Sequence, residues 1–195
     1  MSCLPDLALI GFVFFGLFSP GPNVILVTAS GARFGIQRTL PHILGVVLGV
    51  GVIAGVTGLG IGQFLIAAPQ LTFALKVIAC LWILWMAMQL WRSNPKSQSS
   101  RERPFSFVEA LLFQWINPKI WAVALSASAF TVGMSPLPQA VILAITFSST
   151  NLFVCTFWTA FGSALSRLLQ NERSWRFFIR IMAVALAGFS VLIFR

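Results

Sequence analysis

Two stretches carry residues with chemical potential: Phe18-Ser19-Pro20-Gly21-Pro22-Asn23-Val24 and Gln114-Trp115-Ile116-Asn117-Pro118-Lys119. Each interrupts an apolar run long enough to cross a bilayer. Proline removes a backbone donor and clashes with the preceding turn, so neither stretch continues an α-helix. In hydrocarbon an unpaired peptide group is costly, and such a break persists only where protein or a polar cavity satisfies it. In the first break Pro20 and Pro22 withdraw two donors, Gly21 permits an unusual turn, and Asn23 offers both a donor and an acceptor. A helix restarting at Pro22 presents free amides and a partial positive end suited to a carboxylate; the plainer reading is a helix kink.

In the second break Lys119 lies about a dozen residues from either end of its apolar run, too deep to reach water easily. Its ammonium either pairs with the carboxylate of an amino acid or locks onto carbonyls freed by the proline. Gln114 and Asn117 satisfy freed backbone groups or a substrate. Asn151 is expected to make an interhelical hydrogen bond or a substrate contact, whereas buried Ser and Thr mostly bond back to their own helix. The carboxylates are Asp6, Glu102, Glu109 and Glu172, all near span ends or loops. Among them Glu109 is the candidate proton carrier, and its other reading is a charge at a helix N-terminus. His42 reads as an interfacial residue.

The elements that position these residues follow from composition. Of 195 residues 58% are hydrophobic and 9% charged, which together with repeated apolar stretches implies an all-α polytopic membrane protein. Six segments emerge, at Leu4 to Ala32, Pro41 to Ala67, Leu71 to Trp91, Phe105 to Val132, Leu137 to Phe161, and Trp175 to Phe194. The first lacks the basic flank and small-residue site of a cleaved signal and reads as retained. Broken spans one and four occupy matching places in residues 1–92 and 105–195, with a basic linker at 93–104. Three spans per half predict two three-helix repeats of inverted topology, with a site near the bilayer midplane.

The net charge of +9 sits in connections one, three and five, including Arg33, Arg38, Arg92, Arg101, Arg103, Arg167 and Arg173, with Lys76 and Arg195 as exceptions. That distribution predicts basic loops in the cytoplasm, both termini outside the cytoplasm, and contact with anionic lipid rather than nucleic acid. The mixed basic segment from Gly162 to Arg176 is expected along the inner headgroups. Cys3, Cys80 and Cys155 are odd in number and widely spaced, and the chain has one histidine, so neither a disulfide framework nor a metal site is expected. No cofactor is implied.

Span two carries Gly45, Gly49, Gly51, Gly55, Gly58, Gly60 and Gly62. At 100° per residue Gly45, Gly49 and Gly60 share one face, and Gly51, Gly55, Gly58 and Gly62 another, so two close helix neighbours are expected. These faces also suit sliding between bundles, static packing, or a homodimer.

The combination of Ser-Pro-Gly-Pro-Asn at 19 to 23, Gly31-Ala32-Arg33-Phe34-Gly35, Gly45 and Gly49, Phe107, and Asn117-Pro118-Lys119 resembles the LysE/RhtB family of amino-acid exporters over nearly the whole length. The resemblance implies a small six-helix inner-membrane protein that exports lysine, arginine, threonine, homoserine, leucine, cysteine or related metabolites, with the proton as coupling ion. Length and linker placement are similar to the cysteine and O-acetylserine branch. Ala110 stands where the family often has glycine and Gln114 where it often has asparagine. The competing classes are a passive channel or scaffold, although these spans lack the continuous polar stripe of an open pore, and a membrane-embedded enzyme, for which no catalytic set is present.

Overall fold

A computed structural model describes residues 6–19, 21–60, 69–92, 103–168 and 172–192. Among them every regular element is helical: α1 (Leu7–Phe18), α2 (Pro22–Gly58), α3 (Pro69–Trp91), α4 (Phe107–Ile116), α5 (Pro118–Ala127), a 3-10 turn (Ser128–Thr131), α6 (Pro136–Leu168) and α7 (Glu172–Leu192). By length and composition, Pro22–Gly58 and Pro136–Ser166 are each sufficient to cross a membrane. Large apolar side chains face outward on the helices, among them Phe15, Leu48, Ile145, Phe153 and Val184. Water does not tolerate such a surface, but hydrocarbon does.

Although α2 is hydrogen bonded almost throughout, it is not one rod. Gly35 has φ 77° and ψ 175°, a left-handed conformation that favours glycine. The Ser30 and Thr39 hydroxyls lie 3.0 Å apart across it, whereas nine residues of straight helix would separate them by about 13 Å. Thr39 also donates to the Gly35 carbonyl at 2.7 Å. The chain therefore folds back at one glycine, giving two limbs, 22–34 and 36–58. The expected loop between Ala32 and Pro41 is replaced by this turn, because a single left-handed residue with hydroxyl support reverses the chain without one.

The glycines of the second limb meet two helices. A Cβ on Gly45 would strike the Phe107 carbonyl, and one on Gly49 would lie 2.7 Å from Gln114 Cγ, so this face packs on α4 with parallel direction. Gly51 meets Ser148, Gly55 meets Ala144 and Gly58 meets Ala140, so the other face packs on α6 with antiparallel direction. Gly60 is not on a packing face. It has φ 91° at the turn that ends the helix, with nothing within 4 Å, and its N–H bonds to the Thr57 carbonyl at 3.0 Å. Gly62 lies outside the described residues. The first limb crosses α6 where Gly31 meets the Thr159 carbonyl and Gly162 meets the Thr28 carbonyl.

The broken segments pack antiparallel. The Phe12 and Phe130 ring centroids lie 5.3 Å apart, Gly16 lies against Val123, and Ser19 meets Lys119, so numbers rise along α1 as they fall along the 3-10 turn and α5. Phe14 and Phe18 fix α1 to Phe153, Phe157 and Trp158 of α6, with ring centroids 5.3–6.2 Å apart. α3 packs on α7, where the Arg180 guanidinium sits 5.0 Å above the Trp91 ring. Ile83 and Ala87 of α3, with Met182 and Ala187 of α7, close a second core over Ile25, Leu26 and Phe113. Helix α6 continues past the expected span end at Phe161 to Leu168, with Gly162 in the crossing with the first limb of α2. The linker residues 93–102 lie outside the described residues.

Candidate functional site

The two breaks meet. Asn23, on the first turn after one break, and Gln114, on the last turn before the other, exchange side-chain amides: Asn23 Nδ2 donates to Gln114 Oε1 at 2.7 Å, and Gln114 Nε2 donates to Asn23 Oδ1 at 3.2 Å. Both are buried. A reciprocal amide pair satisfies donor and acceptor together, which is what a polar pair in an apolar interior requires.

The backbone groups freed by proline can be followed one by one. In an unbroken helix the Gly16 carbonyl would receive the N–H of residue 20, but that residue is proline, and Ser19 Oγ donates to it at 3.0 Å instead. The Gln114 carbonyl loses the N–H that Pro118 lacks and accepts from Asn117 N at 3.1 Å. The Trp115 carbonyl receives the ring N–H of Trp121 at 3.0 Å. The Ser19 carbonyl receives Lys119 Nζ at 2.5 Å. Lys119 thus locks onto a carbonyl, and that carbonyl belongs to the opposite break.

Gly21 makes room for this contact. Its φ of −170° is extended and open to any residue, but a Cβ there would lie 2.9 Å from Lys119 Cδ and 3.0 Å from Nζ. Gly21→Ala is therefore expected to dislodge the lysine through steric displacement alone, at a cost of about 1–2 kcal/mol. Thermal unfolding in detergent checks it, and in a Lys119→Met background the same substitution should cost little, because the displaced group is gone.

Both restarted helices have Pro at the first helical position, Pro22 and Pro118, and neither has a side-chain hydrogen bond capping its start. Gly21 cannot supply one. Asn117 could, yet it is fully buried with neither Nδ2 nor Oδ1 bonded to any partner among the described residues. A buried amide with both atoms unmet is unusual in a folded protein and costs about 1–3 kcal/mol. Asn151 is similar: Cys155 Sγ lies 3.7 Å from its Oδ1, and its Nδ2 has no partner. Since Gly49 abuts Gln114, Gly51 abuts Ser148, and Asn151 follows Ser148 by one turn, Asn23, Gln114, Asn117 and Asn151 occupy nearly one depth. Pro20 lies outside the described residues.

Glu109 stands away from this layer, at the start of α4. It completes a capping box with Ser106, accepting from Ser106 N at 2.7 Å while Glu109 N donates to Ser106 Oγ at 3.2 Å. It also accepts from Arg103 at 2.8 and 3.2 Å, and these hydrogen bonds raise the Arg103 pKa above its ordinary value. His42 packs at 5.1 Å against the ring of Phe105. Among the described residues no group of three or more His, Cys, Asp or Glu side chains could hold a metal ion. Sequence reasoning missed Ser19, whose contribution is a backbone carbonyl, and the Gly31–Gly162 crossing.

A family model described as LysE type translocator matches residues 14–195. The chain is 28% identical over 161 residues to an uncharacterized membrane protein of Vibrio cholerae serotype O1, covering 78% of each chain. It is 24% identical over 169 residues to a cysteine/O-acetylserine efflux protein of Salmonella choleraesuis, covering 87% of this chain and 85% of that one. A protein of the same description from Klebsiella pneumoniae is 26% identical over 132 residues, 67% of each chain. No solved structure matches.

Proposed function

The chain belongs to the LysE type translocator family, and from that premise we propose that it exports a small amino acid or close derivative from the cytoplasm by proton-coupled alternating access. The observation that carries this reading is the unbonded Asn117 amide at the meeting point of two broken helices. A buried donor and acceptor left open beside an uncapped helix start favours a ligand with a carboxylate. In the proposed complex the carboxylate lies at the starts of α5 and α2, near Asn117 and Asn23, and Asn151 and Gln114 line the same depth.

The chemistry narrows the substrate. All four carboxylates lie outside both breaks, and a lysine already stands there. A dicationic amino acid would add charge with no counter-ion, so a neutral zwitterion is favoured over lysine or arginine. Relatives described as cysteine/O-acetylserine efflux proteins support this class.

The architecture we propose is six spans in two inverted three-helix repeats within the bacterial inner membrane, residues 1–92 and 105–195, with the basic linker at 93–104 in the cytoplasm and both termini outside. Its support is that the spans pair between the halves: the two broken spans meet through α1 and α5, antiparallel, the second limb of α2 packs on α6, and α3 packs on α7. The glycine faces of the second limb are occupied by α4 and α6 along Gly45 to Gly58, so sliding between these helices is the proposed movement and a homodimer would use other surfaces.

Uptake of radiolabelled O-acetyl-L-serine, L-cysteine, L-threonine, L-leucine and L-lysine into inverted vesicles, with and without a proton gradient, tests the reading. At least one neutral member should accumulate only with the gradient. Asn117→Leu should cut that uptake about tenfold while raising thermal stability, because it removes an unmet amide costing about 1–3 kcal/mol. Wild-type uptake by Asn117→Leu would overturn the placement of the site.

A further inference from the structure

We propose that the Ser19 carbonyl is the seat of the substrate's ammonium group, that Lys119 occupies it in the substrate-free protein, and that exchange between the two ammonium groups couples export to the proton. This rests on the reading of the chain as an amino-acid exporter, and assigns the coupling role to Lys119 rather than Glu109.

The geometry is that of one acceptor and one resident cation. Lys119 Nζ donates to the Ser19 carbonyl at 2.5 Å, and the lysine stem lies in a slot open only because residue 21 is glycine. The carbonyl is fixed by the break, and Ser19 is exposed rather than sealed in the core. No carboxylate of the described residues is bonded to Lys119, so its charge is held by a peptide dipole alone. Two residues away, Asn117 leaves a donor and an acceptor open. Ammonium on the carbonyl and carboxylate on the Asn117 side would seat a zwitterion across the two breaks.

The slot does not take two cations. Like charges within a few ångströms disfavour each other's charged form, and a displaced ammonium in hydrocarbon has no substitute partner. When the substrate's ammonium takes the carbonyl, Lys119–NH3+ gives its proton to water on the cytoplasmic side and becomes a neutral amine. When the substrate leaves outward, the amine takes a proton from outside and returns to Ser19. One zwitterion leaves for each proton that enters, and no bond other than N–H is made or broken.

Among the described residues the surroundings hold no rival. Helix α1 has no ionisable side chain from Leu7 to Phe18, and its start is capped by Asp6. On α2, Arg33, Arg38 and His42 lie beyond the first limb's midpoint, the nearest about 16 Å along the helix from Pro22. The 3-10 turn has none, and α5 has only Lys119. Glu109 is taken up by Ser106 and Arg103 at the far end of α4.

The test uses purified full-length protein in weakly buffered detergent with a pH indicator, the tightest-binding neutral amino acid of the panel above, and its N-acetyl derivative. Wild type should release up to one proton per amino acid bound. The N-acetyl derivative, which has no ammonium, should bind more than tenfold more weakly and release none. Lys119→Met should bind the amino acid without proton release, and Glu109→Gln should keep the release. Lys119→Arg, which cannot discharge, should bind at least tenfold more weakly and release none. If Lys119→Met does not fold, Lys119→Arg and the N-acetyl derivative on wild type decide the matter. Binding to wild type without proton release, release that persists in Lys119→Arg, or release lost in Glu109→Gln overturns the proposal while leaving export standing. Failure of every amino acid to bind overturns the export reading and this inference with it.

Discussion

Gly31→Leu and Gly162→Leu should each prevent the protein from accumulating in the membrane in a folded form. A side chain at either position meets backbone, the Thr159 carbonyl in one case and the Thr28 carbonyl in the other. A flexible side chain can rotate away from an intruding methyl group, but a carbonyl inside a helix cannot move without moving the helix. Overpacking usually costs about 1–3 kcal/mol, and a clash with main chain on both sides of one crossing belongs at or beyond the upper end. Even Gly31→Ala should cost about 3 kcal/mol, a large part of the stability of a small protein. Gly11→Ala is the control: nothing lies within 4 Å of a Cβ there, and the better helix propensity of alanine should add about 0.5–1 kcal/mol. Monodisperse elution and membrane yield of the four variants provide the measurement, and a folded Gly31→Leu protein would overturn the tight crossing.

The second large effect concerns the Asn23–Gln114 pair. Asn23→Leu or Gln114→Leu alone strands a buried amide, at about 1–3 kcal/mol, and each should lower both stability and export. The double variant Asn23→Leu with Gln114→Leu is the informative one. Replacing both partners by apolar groups leaves nothing unmet, so stability should return toward wild type. Export should not return, because the polar layer at the breaks has lost half its members. Recovery of export in the double variant would reduce the pair to a structural clasp.

Local chemistry explains what could be read without coordinates. Pro20, Pro22 and Pro118 break helices wherever they stand, since the missing N–H is covalent, and the second-limb glycines repeat at helical spacing, so their two faces are countable. Lys119 could be judged too deep for water, but its choice between a carboxylate and a carbonyl depends on Ser19, which is distant in the chain and contributes only its backbone. Gly31 and Gly162 have no repeat to mark them, and their partners are set by the angle at which two helices cross. Gly35 was visible within its motif, yet a turn of one residue looks like a gap in the apolar pattern. The extension of α6 past Phe161 was harder to see, because basic residues enter the pattern there while Gly162 still packs against the first limb of α2.

The hydrogen bonds that tie the two halves together join residues 91, 100 and 101 positions apart: Asn23 to Gln114, Lys119 to Ser19, and Ser148 to Val47. For a chain made from its first residue onward, that is a matter of waiting. At about 5–20 residues per second, a hundred residues take roughly 5 to 20 s to synthesise. Throughout that interval the nascent first half holds a bare Ser19 carbonyl, an unpaired Asn23 and two empty glycine faces, and the machinery that inserts it into the bilayer has to shelter them until Lys119, Gln114 and α6 arrive.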